Sequence, residues 1–220
     1  MAERFQDRTD AGRRLAGRLG TYASRNDVLV LGLPRGGVPV AFEIATALDA
    51  PLDVFIVRKL GLPGHEEFGI GAIASGGIRV VDDAVLRAYD VDPDALERVT
   101  ARERLELERR EQLYRDDRPF PVVEGRIVIL VDDGLATGST MRAAIAALRR
   151  KRPNKIVVAV PVGARETCAA MTRLVEEVVC LETPDPFYAV GLWYEDFEQT
   201  SDAEVHDLLE RAEARMTRPR

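Results

Sequence analysis

The sequence is poor in cysteine, has no long apolar run and carries no excess of basic charge. Only two cysteines, Cys168 and Cys180, occur among 220 residues, and their spacing is not that of metal ligands. This argues against a disulfide scaffold and favours a reducing, cytoplasmic compartment, with both cysteines as small buried apolar residues. No apolar stretch approaches the roughly 20 residues that a membrane span requires. The charged N-terminal segment lacks the apolar region of a signal peptide, so none is expected.

The charge balance argues against a nucleic-acid-binding surface. The chain has 31 basic and 37 acidic residues, and its formal net charge is -6 at pH 7. Local basic clusters could still hold a small anionic substrate. With 46% hydrophobic residues the chain can bury a full core. Its length predicts one domain over residues 1–220.

One segment, residues 127–140 (IVILVDDGLATGST), carries the most information. Its apolar beginning predicts a central parallel strand over 127–131, buried on both faces. Asp132 and Asp133 would then stand at the carboxyl end of that strand, where open α/β sheets place their ligands. The turn after them combines small residues with hydroxyl donors: Gly134, Ala136 and Gly138, with Thr137, Ser139 and Thr140.

The chemistry of this turn predicts a phosphosugar site. Small residues let backbone amides approach an anion, and the positive end of the following helix points at the same place. The two carboxylates would repel a phosphate, so they suit vicinal sugar hydroxyls or a divalent cation. A Walker A loop is excluded because the turn has no lysine. An aspartyl-nucleophile phosphatase would separate its two aspartates by one residue. A ligand-free turn would leave two adjacent acids without a partner, which is costly.

A second motif, residues 28–42 (VLVLGLPRGGVPVAF), again joins an apolar strand to a glycine turn and a helix. Here the turn contains Arg35, Gly36 and Gly37. Consecutive backbone amides beside a guanidinium form an anion site suited to a diphosphate. The alternative is that the glycine pair only allows close helix packing.

A third motif, residues 57–71 (VRKLGLPGHEEFGIG), has the composition of a mobile lid. Arg58 and Lys59 lie at a strand end, and glycines with Pro63 follow. The alternative is an ordinary surface hairpin with two solvated cations. His65, near the centre of the segment, is expected to be solvated and not catalytic.

Strands and helices alternate along the chain, which predicts an α/β fold with a mainly parallel, twisted sheet flanked by helices. The predicted strands cover residues 28–32, 52–58, 69–74, 78–81, 127–131, 155–162 and 177–181. The predicted helices cover residues 10–22, 37–48, 93–115, 140–150, 165–174 and 202–216.

Residues 128–140 resemble the 5-phosphoribosyl-1-pyrophosphate (PRPP) signature of the type I phosphoribosyltransferases. The resemblance implies that Asp132 and Asp133 hold the ribose 2- and 3-hydroxyls, with a Mg²⁺ ion as cofactor at these carboxylates. Residues 134 and 136–140 would hold the 5-phosphate. The loop with Arg35, Gly36 and Gly37 would bind pyrophosphate. The lid would close over PRPP, with Arg58 and Lys59 on the leaving pyrophosphate. Asp132, Asp133, Arg58 and Lys59 would be the catalytic residues.

The resemblance also implies a core over about 24–181 and a small hood over about 182–200. The helix predicted over about 93–115 is an insertion beyond the minimal family core, and a C-terminal helix is predicted over about 202–216. In the hood, residues 183–197 (TPDPFYAVGLWYEDF) are rich in proline and aromatics. Phe187 or Tyr188 would stack on a flat heterocycle there. The motifs GLPRGGVPVA and DDGLATGST are most similar to those of one bacterial subgroup of the family.

The implied function is transfer of the 5-phosphoribosyl group from PRPP to a nitrogenous base or amine, with release of pyrophosphate, in nucleotide metabolism such as salvage. The alternative is a non-catalytic, PRPP-binding regulator. Ala136 stands where 6-oxopurine enzymes carry an aspartate, and residues 158–164 lack their base-recognising lysine, which argues against hypoxanthine or guanine. The expected partners are small molecules, PRPP and a nucleobase-like acceptor, without nucleic acid or membrane, and a homodimer is left open.

Overall fold

The computed structural model describes residues 4–116 and 118–217, in which two sheets are flanked by helices. The strands are β1 (Val28–Gly32), β2 (Leu52–Val54), β3 (Val57–Leu62), β4 (His65–Ala74), β5 (Ile78–Val81), β6 (Ile127–Val131), β7 (Lys155–Val162) and β8 (Glu177–Glu182). The helices are α1 (Arg8–Ala16), α2 (Gly37–Leu48), α3 (Asp83–Ala88), α4 (Pro93–Arg115), α5 (Ser139–Arg149), α6 (Arg165–Met171) and α7 (Asp202–Met216). Short 3₁₀ turns cover Gly20–Tyr22 and Val190–Trp193. No helix in these described ranges is long and apolar enough to cross a membrane.

The main sheet is parallel throughout, with the strand order β2-β1-β6-β7-β8. This confirms the predicted α/β class. The central strands β1 and β6 are buried at every position. Leu29 and Leu31 face one apolar cluster, and Val28 and Val30 face the other, so both faces of the sheet are covered. The chain winds outward in one direction from β1 and in the other from β6, and the topological switch point lies between these two strands.

One predicted strand is wrong, because residues 52–58 form two strands in different sheets. β2 pairs with β1 in the parallel sheet, whereas β3 pairs with β4 in a three-stranded antiparallel sheet. The chain passes from one sheet to the other at Phe55 and Ile56. The amide of Phe55 donates to the Gly32 carbonyl at 2.9 Å, and the amide of Ser75 donates to the Ile56 carbonyl at 3.0 Å.

The glycine-rich segment after Lys59 is an antiparallel hairpin, where an open lid loop was expected. β4 begins at His65, four residues before the predicted strand, and Gly64 occupies the turn with φ of +82°. The register between β3 and β4 shifts on both sides of Gly61. His65 is exposed, as expected.

The ends of several helices also differ from the prediction. α1 starts at Arg8, where the Asp7 carboxylate caps it by accepting from the amide of Asp10 at 2.7 Å, and it ends at Ala16. α6 ends at Met171, three residues early. α3 was not predicted, although Asp82 caps it in the ordinary way. Helices α2, α4 and α7 have the predicted bounds.

A buried arginine anchors the C-terminal end of α4. The Arg115 side chain is 4% exposed, and its guanidinium lies 2.6 Å from Asp53 Oδ1 and 2.9 Å from Glu111 Oε1. It also donates to the Val54 carbonyl at 2.6 Å and to Ser75 Oγ at 3.2 Å. Burial raises the pKa of Asp53, and the Arg115 charge opposes that rise. Arg115 thus links α4 to the edge of the parallel sheet.

Replacing Arg115 with alanine should lower the free energy of unfolding by about 3–5 kcal/mol, because Asp53 would be left buried without its partner. Urea denaturation measures this loss. The matched control is Arg109→Ala on the same helix, whose guanidinium is exposed and pairs with Glu106. Arg109→Ala should leave the denaturation midpoint nearly unchanged. Equal losses in the two variants would show that burial of the Arg115 ion pair is not what anchors the helix.

Candidate functional site

The two glycine-bearing loops leave the sheet side by side. Gly32 at the end of β1 pairs with Val131 at the end of β6, and the amide of Leu33 donates to the Val131 carbonyl at 2.8 Å. The peptide bond between Pro34 and Arg35 is cis. A Cβ atom on Gly37 would lie 2.6 Å from the Val131 carbonyl oxygen, and one on Gly36 would lie 1.9 Å from Asp133 Oδ2. The structure therefore brings the loop at 33–37 into direct contact with Asp132 and Asp133.

The two aspartates concentrate negative charge in a buried place. Asp132 Oδ1 accepts the amide of Asp133 at 2.9 Å. Burial, reinforced by the neighbouring Asp133 charge, raises the pKa of Asp132 well above its usual value. Burial also raises the pKa of Asp133, and the guanidinium of Arg8 opposes that rise. An ionised pair at this position needs a positive partner.

Arg8 supplies part of that positive charge, and the sequence interpretation missed it. Its Nε and Nη2 atoms each lie 2.9 Å from Asp133 Oδ2, and its Nη1 donates to the Glu198 carbonyl at 2.6 Å. The guanidinium lies 4.0 Å from the centroid of the Phe197 ring, a cation–π contact, and the side chain is 12% exposed. Arg8 and Asp133 are 125 residues apart, so only the fold could reveal the pair.

The predicted phosphate turn leads directly into α5. Gly138 has φ of +73° at the N-terminus of this helix, so a side chain there would be strained. The first backbone amides of an α-helix have no partner within the helix, which makes this end an anion site. α6 supports the turn from behind: Thr167 Oγ1 donates to the Ala136 carbonyl at 2.7 Å, and a Cβ on Gly138 would lie 2.5 Å from Met171 Cε.

Of the three predicted cations, Lys59 reaches the phosphate turn. Its Nζ donates to Ser139 Oγ at 2.5 Å. Arg58 turns to α4 instead, where its Nη2 and Nε lie 2.6 Å and 2.9 Å from Glu103 Oε2.

Arg35 also has a carboxylate partner outside the parallel sheet. Its Nη1 lies 3.7 Å from Asp202 Oδ1, at the first residue of α7. The hydroxyl of Tyr114, on α4, donates to the same Asp202 oxygen at 2.5 Å. Burial and that bond raise the pKa of Tyr114 to about 12. Both predicted pyrophosphate arginines are therefore paired with a carboxylate from a flanking helix.

The hood segment, residues 182–200, closes the site on one side. Tyr194 is buried, and its hydroxyl donates to the Asp133 carbonyl at 2.6 Å. A Cβ on Gly134 would lie 2.4 Å from Val190 Cγ1, so this glycine makes room for the hood. Phe187 is half-buried against the cluster of Phe5 and Tyr194, whereas Tyr188 is 79% exposed.

Comparison with known proteins gives a consistent family. The family model of the phosphoribosyl transferase domain matches residues 2–192. Proteins of Mycobacterium tuberculosis strains H37Rv and CDC 1551, each curated as "Putative phosphoribosyl transferase", are 49% identical over 208 residues. The match covers 94% of this chain and 47% of each relative, so the chain spans about half the length of these curated relatives.

A solved structure shares the fold over nearly the whole chain. The crystal structure of TT1426 from Thermus thermophilus is 44% identical, with a TM-score of 0.85. The alignment covers 94% of this chain and 98% of that one. The match of the family model to most of the chain, together with the M. tuberculosis relatives, shows that this chain belongs to the phosphoribosyl transferase domain family.

Proposed function

We propose that the chain is a phosphoribosyltransferase that transfers the 5-phosphoribosyl group of PRPP to a nitrogenous base or amine and releases pyrophosphate. The observation that carries this proposal is the contact of the 33–37 loop with Asp132 and Asp133 beside the turn at 134–140. A loop suited to a diphosphate, a pair of hydroxyl acceptors and a turn suited to a phosphate lie at one sheet edge. PRPP presents these three kinds of group in one molecule.

Each part of the site would hold one part of PRPP. Asp132 and Asp133 accept hydrogen bonds from the ribose 2- and 3-hydroxyls. The 5-phosphate lies at the N-terminus of α5, where backbone amides and hydroxyls converge: Gly134, Ala136, Thr137, Gly138, Ser139 and Thr140. The pyrophosphate lies against Arg35, Gly36 and Gly37, with the Arg35 guanidinium as the charged donor, because the Gly37 amide already donates to the Leu33 carbonyl at 3.0 Å.

The acidic pair also fits a magnesium ion. Carboxylate oxygens are the ligands that Mg²⁺ prefers. Asp133 Oδ2 is paired with Arg8 and Asp132 Oδ1 with a backbone amide, so each carboxylate keeps its second oxygen for a ligand. When bound at Asp132 and Asp133, the ion would neutralise charge on the pyrophosphate.

The chain's own residues would act by positioning and electrostatics. Cleavage of the bond to pyrophosphate leaves positive charge on the ribose and negative charge on the leaving group. Asp132 and Asp133 stabilise the former. Lys59 lies within reach of the phosphate turn. Arg35 leaves Asp202, and Arg58 leaves Glu103, to bind the pyrophosphate, because this anion carries more negative charge than a single carboxylate. The acceptor nitrogen attacks the opposite face of the sugar.

The hood would bind the acceptor, and the ring of Tyr188 is available for stacking on it because this side chain is largely exposed. Phe187 would form the floor of that subsite from its half-buried position. Neither residue contributes a charge. The base or amine would therefore be held by its flat face, with selectivity arising from backbone groups of the hood.

One observation favours the second candidate function, a PRPP-binding regulator without catalysis. Both arginines expected on the leaving group are already paired with carboxylates, Arg35 with Asp202 and Arg58 with Glu103. A protein that retains these pairs would bind PRPP through Asp132, Asp133 and the phosphate turn without stabilising the departure of pyrophosphate.

Pyrophosphate release separates the two candidates. With PRPP and Mg²⁺, one or more members of a panel of bases and amines should give pyrophosphate, measured by a coupled phosphatase assay, and chelation of the metal should stop release. Thermal denaturation with PRPP serves as the binding control. A PRPP-dependent rise in Tm with no release from any acceptor would favour the regulator, whereas no rise in Tm at all would contradict both functions.

Asp133→Asn should weaken PRPP binding about 10- to 100-fold, because hydrogen bonds to a charged acceptor contribute about 1.5–3 kcal/mol. Titration calorimetry measures the affinity. The matched control is Glu195→Gln, which neutralises an exposed carboxylate of the hood. Unchanged affinity in Asp133→Asn would remove this residue from the ribose subsite.

Arg8→Ala should make PRPP binding more sensitive to acid. The pKa of Asp133 is already raised by burial, and loss of the Arg8 charge raises it further. The ionised form binds the sugar, so affinity is lost as the pH falls through this pKa, and in Arg8→Ala the loss begins at a higher pH. PRPP titrates alike in every assay, so the shift between variants reports the protein. Arg8→Lys should restore part of the affinity at low pH. A loss of affinity that is the same at all pH values would indicate that Arg8 has a structural role alone.

A further inference from the structure

The two cysteines of the chain lie in contact, although no spacing in the sequence indicates it. Cys168 is on α6, and Cys180 is on β8. Their Sγ atoms are 3.4 Å apart, and both are free thiols. Cys168 is buried, as predicted, whereas Cys180 is partly exposed on β8, the edge strand of the parallel sheet.

The pair lies directly behind the phosphate turn. A Cβ on Gly163 would lie 2.5 Å from Cys168 Sγ and 3.0 Å from Leu135 Cβ, so the Cys168 sulfur packs beneath the residue that starts the turn. The amide of Leu135 donates to the Val162 carbonyl at 2.9 Å, which fixes that residue to the end of β7.

The helix that carries Cys168 also supports the rest of the turn. Thr167 is adjacent to Cys168, and its hydroxyl donates to the Ala136 carbonyl at 2.7 Å. Met171, one helical turn later, packs against Gly138. Any shift of α6 is therefore transmitted to Ala136 and Gly138, at two points of the turn.

We propose that Cys168 and Cys180 are a modification site at which a peroxide forms a reversible intramolecular disulfide, and that this bond loosens the phosphate turn. The consequence for PRPP binding rests on the proposed function. Formation of the disulfide and the change in the turn do not rest on the proposed function, because both are properties of the chain without ligand.

The reaction balances with hydrogen peroxide as the oxidant. The thiolate of Cys168 attacks one peroxide oxygen, the O–O bond breaks, and the hydroxide that leaves takes up the former thiol proton as water. The sulfur of Cys180 then displaces the hydroxyl of the sulfenic acid, and its proton completes a second water. The two sulfurs together lose two electrons, which reduce the peroxide. The contact with Cys180 lowers the pKa of Cys168, consistent with Cys168 as the attacking group.

Formation of the bond requires the two sulfurs to approach each other. A disulfide has a sulfur–sulfur distance of about 2.05 Å, so the two sulfurs must approach by more than an ångström from their separation of 3.4 Å. β8 is held by its pairing with β7, where Cys180 lies opposite Val160. α6 is a short helix of 7 residues. Any part of this approach that side-chain rotation does not supply falls mainly on α6, and it takes the Thr167 and Met171 contacts with it.

The first measurement is the bond itself. After treatment with hydrogen peroxide, the intact chain should lose the mass of two hydrogen atoms and both reactive thiols, with recovery on reduction. Arg173 separates the two cysteines, so trypsin should give a linked pair of peptides from the monomer. Two thiols that persist under conditions that oxidise a free thiol peptide, or a bond that forms only between chains, would overturn the proposal.

The second measurement is the state of the turn. Amide hydrogen exchange over residues 134–141 should rise in the oxidised protein and return on reduction, and PRPP affinity should fall by roughly tenfold or more. Cys168→Ala, checked for an unchanged Tm, is the control: it removes the attacking thiol, keeps every methionine and cannot form the bond, so neither readout should change. A linked chain with unaltered exchange would refute the coupling. If the reduced chain does not bind PRPP, the proposed function fails, while mass and exchange still decide this proposal.

Discussion

The pairing of β1 with β6 brings two loops so close that the loop at 33–37 tolerates no side chain where it meets the acidic pair. Gly32 lies opposite Val131, and a Cβ on Gly36 or Gly37 would collide with Asp133 or with the Val131 carbonyl. Adjacent strands are about 4.8 Å apart. The distance between the diphosphate-type loop and the acidic pair is therefore set by the sheet, whose central strands β1 and β6 are buried on both faces. A rigid core thus determines the geometry that the loops alone could not maintain.

This closeness has an electrostatic consequence. Asp132 and Asp133 are largely shielded from water, which raises the pKa of both, and the neighbouring Asp133 charge raises the pKa of Asp132 further. Arg8 counters part of the cost, and its own position depends on Phe197 and the Glu198 carbonyl in the hood. The N-terminal helix, the hood and the acidic pair are therefore one unit. A substitution in the hood that shifts the Arg8 guanidinium can therefore alter the ionisation of Asp133 without contacting Asp133.

The sequence predicts the parts of the site that depend on local pattern and sheet logic. Two continuous apolar strands are followed by Arg35-Gly36-Gly37 and by Asp132-Asp133. These segments meet because the carboxyl ends of parallel strands lie at the same edge of the sheet. It does not predict contacts between distant segments, such as Arg8 with Asp133 or Cys168 with Cys180. The break at Phe55 was also missed, because an apolar run carries no sign that its two halves pair with different sheets. Burial of Arg115 depends on partners in β2 and at the end of β4 that no periodicity reveals.

Helices α4 and α7 supply the carboxylates that pair with Arg58 of β3 and with Arg35 of the diphosphate-type loop. Arg115 anchors α4 to β2, Tyr114 beside it holds Asp202, and Asp202 pairs with Arg35. Nearer the N-terminal end of α4, Glu103 pairs with Arg58 of the hairpin. Arg102, the neighbouring residue on α4, pairs with Glu66 of the same hairpin. These pairs add to the apolar packing of the hairpin against α4, where Leu60 and Ile70 share a cluster with Leu107. That packing and the ladder between β3 and β4 account for ordered strands in a segment whose glycines suggest an open loop. An anion that binds both arginines must compete with carboxylates already present. Its affinity is then the difference between two sets of ion pairs, which favours a multiply charged group such as a diphosphate over a single carboxylate or phosphate monoester.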